Sequence, residues 1–280
     1  MTTETIYHPS DLHSGECEWC GEKSDELIYT EDGQEVCIDC IEEKEFLQRN
    51  NEGSMKKIMF SSHFGLTEDV IARIKTQTRR IITCPKTYKG EWVAGFHVYK
   101  RQSDGAIPEW PSLYNADEAT IDGGYILSKY KVGEIVAIAQ SYKDAGILSI
   151  PEEDDEFGCY DFPTEQTNGW NNKMFVRADL MPHQIRINDI RVERLQEISD
   201  EDCIKEGVVK VVHKSPSKAP QYINRYYPCR FMKECADRLG WGRTYETPQK
   251  AYAALIDMVS GEGTWEFNPF VFVYDFELVK

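Results

Sequence analysis

No stretch of the 280-residue chain approaches the ~20 consecutive apolar residues of a membrane-spanning helix. The first residues, MTTETIYHPSDLHSGE, lack both the basic start and the apolar run of a secretion signal, so a cytoplasmic location is the expectation. There is no G-x-G-x-x-G, no Walker loop and no G-x-S-x-G, which sets aside the dinucleotide, P-loop and α/β-hydrolase chemistries. A basic excess is missing too. The chain holds 48 acids against 32 bases, a net charge of -16, whereas a protein that tracks a nucleic-acid backbone needs the opposite sign. The acidity is uneven: residues 1–55 hold 15 acids and 3 bases, residues 56–280 hold 33 and 29. Any nucleic-acid contact must therefore be local, through a small basic pocket.

What is present permits a real core. Apolar residues make up 41% and aromatics 12%, and the length allows one large or two ordinary domains. Nine cysteines in a cytoplasmic chain argue against a disulfide framework. Four of them form a metal pattern: Cys17-Glu18-Trp19-Cys20, then Cys37-Ile38-Asp39-Cys40 after 16 intervening residues. Each C-x-x-C lets two thiolates reach one ion, and two such knuckles complete a tetrahedral shell suited to structural Zn(II). Leu27–Thr30 and Glu35–Val36 read as strands of a hairpin turning at Asp32-Gly33. A module this small depends on its metal for much of its folding energy. Its acidic surface repels phosphate and points to a protein-docking or stabilising role. The boundary falls at Asn50–Ser54, giving a zinc module and linker over 1–54 and a second domain over 55–280.

In the second domain, Thr67 reads as the cap of a helix with Val70, Ile71 and Ile74 on its apolar face. The helix runs out through Lys75-Thr76-Gln77-Thr78-Arg79-Arg80 into a strand over 81–83. Residues 84–130 read as a long irregular insertion. Strands are expected at 135–140, 174–180, 185–195 and 270–279. Ser199 caps a helix ending at Glu206-Gly207, and helices are expected at 230–239 and, after Thr247-Pro248, at 249–258. Many strands with few helices between them point to a mainly β, α+β fold built on a twisted barrel.

Three blocks in order resemble the ASCH family of PUA-like domains, in a phage-borne subgroup: Phe60 to Arg80; Met181-Pro182 through Val192–Ser199 to Glu206-Gly207-Val208; and Asn268-Pro269-Phe270-Val271-Phe272. The resemblance covers about residues 55–280. It implies a PUA-like β-barrel that binds RNA or a nucleoside, in host cytoplasm if phage-encoded. Some small bacterial members hydrolyse N(4)-acetylcytidine, using a lysine and a threonine from a K-T-x-T segment and a glutamate from a later helix. By motif those roles fall on Lys75, Thr78 and Glu206. Arg79, Arg80, Gln140 and Tyr142 join them as ligand-binding candidates. Two residues depart from the pattern: Arg73 stands where the family usually has glycine, and Gln140 where related phage proteins tend to have glutamate.

The chemistry sets conditions. A threonine hydroxyl is a poor nucleophile, and a lysine activates it only when neutral, although a free lysine titrates near ~10.4. Burial or the neighbouring Arg79 and Arg80 would lower that value, and Glu206 would protonate the departing amine. Several assignments stay open. Lys75, Arg79 and Arg80 serve a pocket or cap a solvated helix end; Glu206 is a site residue or a surface one. Tyr142, Trp170 and Trp265 stack on a base or pack the core. His63 and His183 have polar roles or structural ones. Three functions follow: a nucleobase- or RNA-binding module, an amidohydrolase on acylated cytidine, or an interaction protein docking through its zinc module.

Overall fold

In a computed structural model the described residues are 13–16, 23–29, 35–37, 55–99, 110–151, 160–214, 222–240 and 242–280. The chain divides into two compact units, Met1–Ser54 with Thr83–Leu127, and Met55–Ile82 with Ser128–Lys280. Elements are numbered along the chain.

The first unit begins with an antiparallel sheet of β1 (His13–Glu16), β2 (Lys23–Tyr29) and β3 (Glu35–Cys37). The expected hairpin is present as Ile28↔Val36 and Tyr29↔Glu35, with Leu27 opposite Cys37 and both buried. Its turn, and Cys17, Cys20 and Cys40, lie outside the described residues. Residues 84–130, expected to be irregular, contain strands. A two-stranded ladder joins β6 (Thr87–Tyr88) to β7 (Glu91–Trp92), and a three-stranded sheet joins β8 (Gly95–His97), β9 (Ser112–Tyr114) and β10 (Thr120–Tyr125). Val93, Leu113 and Ile121 form a small buried cluster. Short strands and close Gly and Pro spacing hid this regularity from periodicity.

The second unit is built on a five-stranded sheet in the order β4 (Lys57–Ile58), β11 (Ile135–Ile138), β14 (Gln184–Arg194), β17 (Phe270–Leu278), β5 (Gln77–Ile81). β14 alternates Ile185 and Ile187, both fully buried, with exposed Arg186, as its sequence predicts. All neighbours are antiparallel except β4 and β11. Short ladders pair β12 (Ile150–Pro151) with β13 (Tyr160–Asp161) and β15 (Val209–Lys214) with β16 (Tyr222–Tyr227). The class is α+β and rich in strands. Among the described residues the sheet does not close into the expected barrel, because β4 and β5 are its two unpaired edges.

Helices α1 (Leu66–Ile71), α2 (Tyr142–Ala145), α3 (Asp200–Lys205), α4 (Arg230–Leu239), α5 (Pro248–Ser260) and α6 (Thr264–Phe267) belong to this unit. Ser199 caps α3 by accepting from Asp202 N–H at 3.0 Å, and Thr247 caps α5 with Pro248 in its first turn. The cap of α1 departs from expectation. It is Gly65, and the Thr67 hydroxyl instead lies within 3.2 Å of the Phe60 carbonyl, to which it donates.

Two further corrections bear on the site. The helix stops at Ile71, and Lys75–Arg80 is not its tail: Gln77–Ile81 is strand β5. The break is made by Arg73, which adopts a left-handed φ of 61°. This explains why a glycine suits that position, and it shows that the turn forms with arginine. Residues 174–180, expected to be a strand, contain a single 3-10 turn over Lys173–Phe175 that Asn172 caps. The Lys57 ammonium takes the Met174 and Val176 carbonyls that a ladder would have used.

Candidate functional site

Strand β5 and the C-terminal end of α3 meet at a buried ionic cluster. The Thr76 N–H donates to the Lys205 carbonyl, and the Lys75 ammonium donates to the Glu206 carbonyl at 2.8 Å and its carboxylate at 2.5 Å. A cation at a helix C-terminus also satisfies carbonyls that have no partner within the helix. Lys75 and Glu206 are each only 3% exposed. Arg79 reaches the other Glu206 oxygen at 3.0 Å, Glu193 at 2.6 Å and Asp202 at 3.3 Å. It also donates to the Gln77 amide oxygen, whose amide nitrogen donates to Asp275. Arg191 closes the far side against Asp202, Glu193 and Asp275. The cluster thus sets Lys75, Arg79 and Arg191 against five carboxylates: Asp189 and Glu193 of β14, Asp202 of α3, Glu206 that ends α3, and Asp275 of β17.

Burial shapes the proton affinities. It pushes the Lys75 ammonium below its ordinary value, and the Glu206 charge opposes this. Burial acts the same way on Arg79, but Glu206 and Glu193 outweigh it and keep the guanidinium charged. Beneath the turn, Asp69 on α1 is fully buried and raised to about 6 by desolvation, with Arg230 and Lys75 pulling the other way. Arg230 Nε lies 2.9 Å from one Asp69 oxygen, yet neither oxygen has an aligned hydrogen bond among the described residues. The contact is therefore one of charge without directional bonding.

A cavity of about 280 Å³ opens against this cluster. Lys75, Thr78, Arg79, Arg80 and Glu206 all line it, so the three motif residues reach one cavity. Leu66 of α1 and Leu255, Ile256 and Val259 of α5 form its apolar wall, and Met59–Ser61 the side facing β4. The cavity lies along the free edge of β5. Ile82 N–H donates to Phe270 and Phe276 N–H donates to Thr76, which assigns the even-numbered backbone groups to β17. By alternation, Arg79 turns its N–H and C=O to the open edge. Arg80 spans the gap, donating to the Met59 carbonyl at 2.5 Å with its guanidinium over Phe60.

Four hydroxyls on the cavity wall, from Ser61, Thr78, Tyr252 and the exposed Ser260, have no hydrogen bond among the described residues. Tyr252 is 1% exposed, and burial holds its phenol well above the ordinary value, so it stays an O–H donor. Sequence reading missed Tyr252 and Ser61, because only the packing of α5 and the chain after β4 brings them to β5.

The remaining candidates lie elsewhere. Tyr142 is a core residue, not a stacking platform. It is buried in a cluster with Ala137, Ala139, Val176 and Met181, and its hydroxyl accepts from Arg177 N–H at 3.0 Å. A Cβ at Gly169 would come within 2.6 Å of its ring, so that packing requires glycine. Gln140 does not line the cavity, and its side-chain oxygen is buried without a partner among the described residues. Trp170 packs against the Tyr142 cluster, and Trp265 meets the Tyr252 ring edge-on. His63 lines a second cleft, while the His183 backbone carbonyl accepts from Ile138. No family model, curated protein or solved structure matches the chain.

Proposed function

We propose that this is an ASCH-type, PUA-like domain whose cavity binds a single uncharged nucleobase, presented as a nucleoside or by RNA. The observation that carries this is the division of labour on the cavity wall. The charges of Lys75, Arg79 and Glu206 are matched within the protein, while the hydroxyls of Ser61, Thr78 and Tyr252 are unpartnered. Apart from Arg80, which is held by the Met59 carbonyl at one side of the cavity, a ligand therefore meets neutral donors and acceptors, one edge-strand N–H and C=O, and an apolar wall. A planar heterocycle with amide-like edges satisfies all of these. The volume, about 280 Å³, is just below the ~300–1,000 Å³ usual for ligand sites, which suits one base and excludes a helix. The test is calorimetric titration with N(4)-acetylcytidine, cytidine and uridine. Binding to the protein, lost in Tyr252→Phe combined with Thr78→Val, supports the reading; no heat with any of them refutes it.

A second reading, amide hydrolysis, is favoured by one observation: the unpartnered Thr78 hydroxyl shares the cavity with a lysine whose ammonium is destabilised by burial. In that reaction the threonine oxygen attacks the acyl carbon as its proton passes to neutral Lys75. The cytosine amine leaves with a proton supplied from the Lys75–Glu206 pair, and water then hydrolyses the acyl-threonine. Chromatography of N(4)-acetylcytidine incubations decides it. Turnover abolished by Lys75→Ala is expected; unchanged substrate rules it out.

For the N-terminal module we propose one structural Zn(II) held by Cys17, Cys20, Cys37 and Cys40, with its acidic surface serving a protein partner. Hairpin β2–β3 delivers Cys37 at a strand end, as a knuckle requires. One zinc per chain by elemental analysis, lost in Cys37→Ser, is the expected result.

A further inference from the structure

Beside the base cavity lies a second cleft of about 480 Å³, and Met59, Phe60 and Ser61 line both. We infer that this cleft holds a phosphate attached to the bound nucleoside, so that the site takes nucleotides in preference to nucleosides. The inference rests on the nucleobase reading above.

Two cations flank the shared wall. Arg80 holds the Met59 carbonyl, and the Lys173 ammonium, lining the cleft, donates to the Phe60 carbonyl and, at 3.2 Å, to the Ser62 hydroxyl. Neither has a carboxylate within 4.0 Å among the described residues. It contrasts with Arg79, the neighbour of Arg80, which meets three carboxylates. Burial lowers the Lys173 ammonium; Glu68 and Asp144 oppose this, and Arg80 adds to it. Lys173 keeps one of its three N–H groups free. The Ser61 hydroxyl, the Asn171 amide and the Asn172 amide nitrogen also have no hydrogen bond among the described residues.

Unmatched positive charge surrounded by spare neutral donors suits a group of acceptor oxygens carrying negative charge. A sugar alone would leave the cations unmatched. The cleft contains one carboxylate, Asp144, with an oxygen that accepts from the Ser141 hydroxyl at 2.7 Å. It opposes an anion, and this gives the test a sign. If the cleft bound sugar hydroxyls, removing the Asp144 charge would weaken binding; for a phosphate it must strengthen it.

The experiment is calorimetry at fixed low salt with N(4)-acetylcytidine, its 5′-monophosphate, and a trinucleotide RNA with acetylcytidine at its centre. The monophosphate is expected to bind about tenfold more tightly than the nucleoside, the effect of one charge-assisted contact. Lys173→Met should erase that gap; Asp144→Asn should widen it, which a misfolded variant would not do. A trinucleotide stronger than the monophosphate assigns the phosphate to RNA, and the reverse order assigns it to a free nucleotide. Equal binding of nucleoside and monophosphate, or a gap that survives Lys173→Met, overturns this inference alone. Absence of binding by all three probes overturns the nucleobase reading with it.

Discussion

The polar side chains of β5 and of the turn before it differ in how far they are satisfied. Lys75, Gln77 and Arg79 are tied to carboxylates and amide groups of β14, β17 and α3 until nearly every donor is used. Thr78 and Arg80, alternating with them along the strand, meet no carboxylate within 4.0 Å, and Thr78 has no side-chain partner among the described residues. One short segment therefore does two jobs. Its odd positions fasten the sheet edge to α3, and its even positions, with Ser61 and Tyr252, remain available to a ligand. Two of the three motif residues, Lys75 and Glu206, belong to the fastening.

That division is open to test, and the largest effect belongs to Glu206. Its carboxylate, on a residue only 3% exposed, faces both Lys75 and Arg79. Glu206→Ala leaves two buried cations short of a partner and is expected to cost about 3–5 kcal/mol in urea unfolding. Thr78→Val, on the open side, should change stability by less than about 1 kcal/mol. Similar losses for the two would erase the distinction.

The sequence announces the parts of this fold that follow hydrophobic alternation or capping. β14, β17, α3 with Ser199, and α5 behind Thr247-Pro248 all appear where their residues predict. β5 was hidden because Gln77, Arg79 and Arg80 look like a solvated helix tail, and only remote carboxylates make them strand residues. The β15–β16 hairpin was hidden by the Pro- and Ser-containing tract between its strands. Lys75, Thr78 and Glu206 were visible as site candidates only through a resemblance in sequence pattern. Nothing local marks Tyr252, Ser61 or Asp69, whose roles arise from packing between distant segments.

The next effect in size concerns Asp69, on the fastened side but without aligned hydrogen bonds. Its carboxyl is raised to about 6 from 3.8, so the folded state holds the proton more tightly than the unfolded chain. The sign follows from linkage. The penalty is fully present above the folded value, shrinks as pH falls from about 6 toward 3.8, and is absent below that. This group should therefore add about 2–3 kcal/mol of stability between pH 7 and pH 4. Comparing unfolding of the protein with Asp69→Asn across that range isolates it. The difference between the two should narrow on acidification, and a constant offset would contradict the assignment.

The smallest effect on stability, and the sharpest on the comparison, comes from Tyr252→Phe. The Tyr252 hydroxyl faces the cavity with no protein partner, so removing it should leave stability unchanged to within about 1 kcal/mol. The same change removes a donor from the cavity and should weaken nucleoside binding about tenfold. A structural hydroxyl would show the reverse: a loss of stability with unchanged affinity. Weaker binding at unchanged stability would place Tyr252 on the open side with Thr78. A destabilised variant would move it to the fastened side with Glu206, and the cavity would lose one of its free hydroxyls.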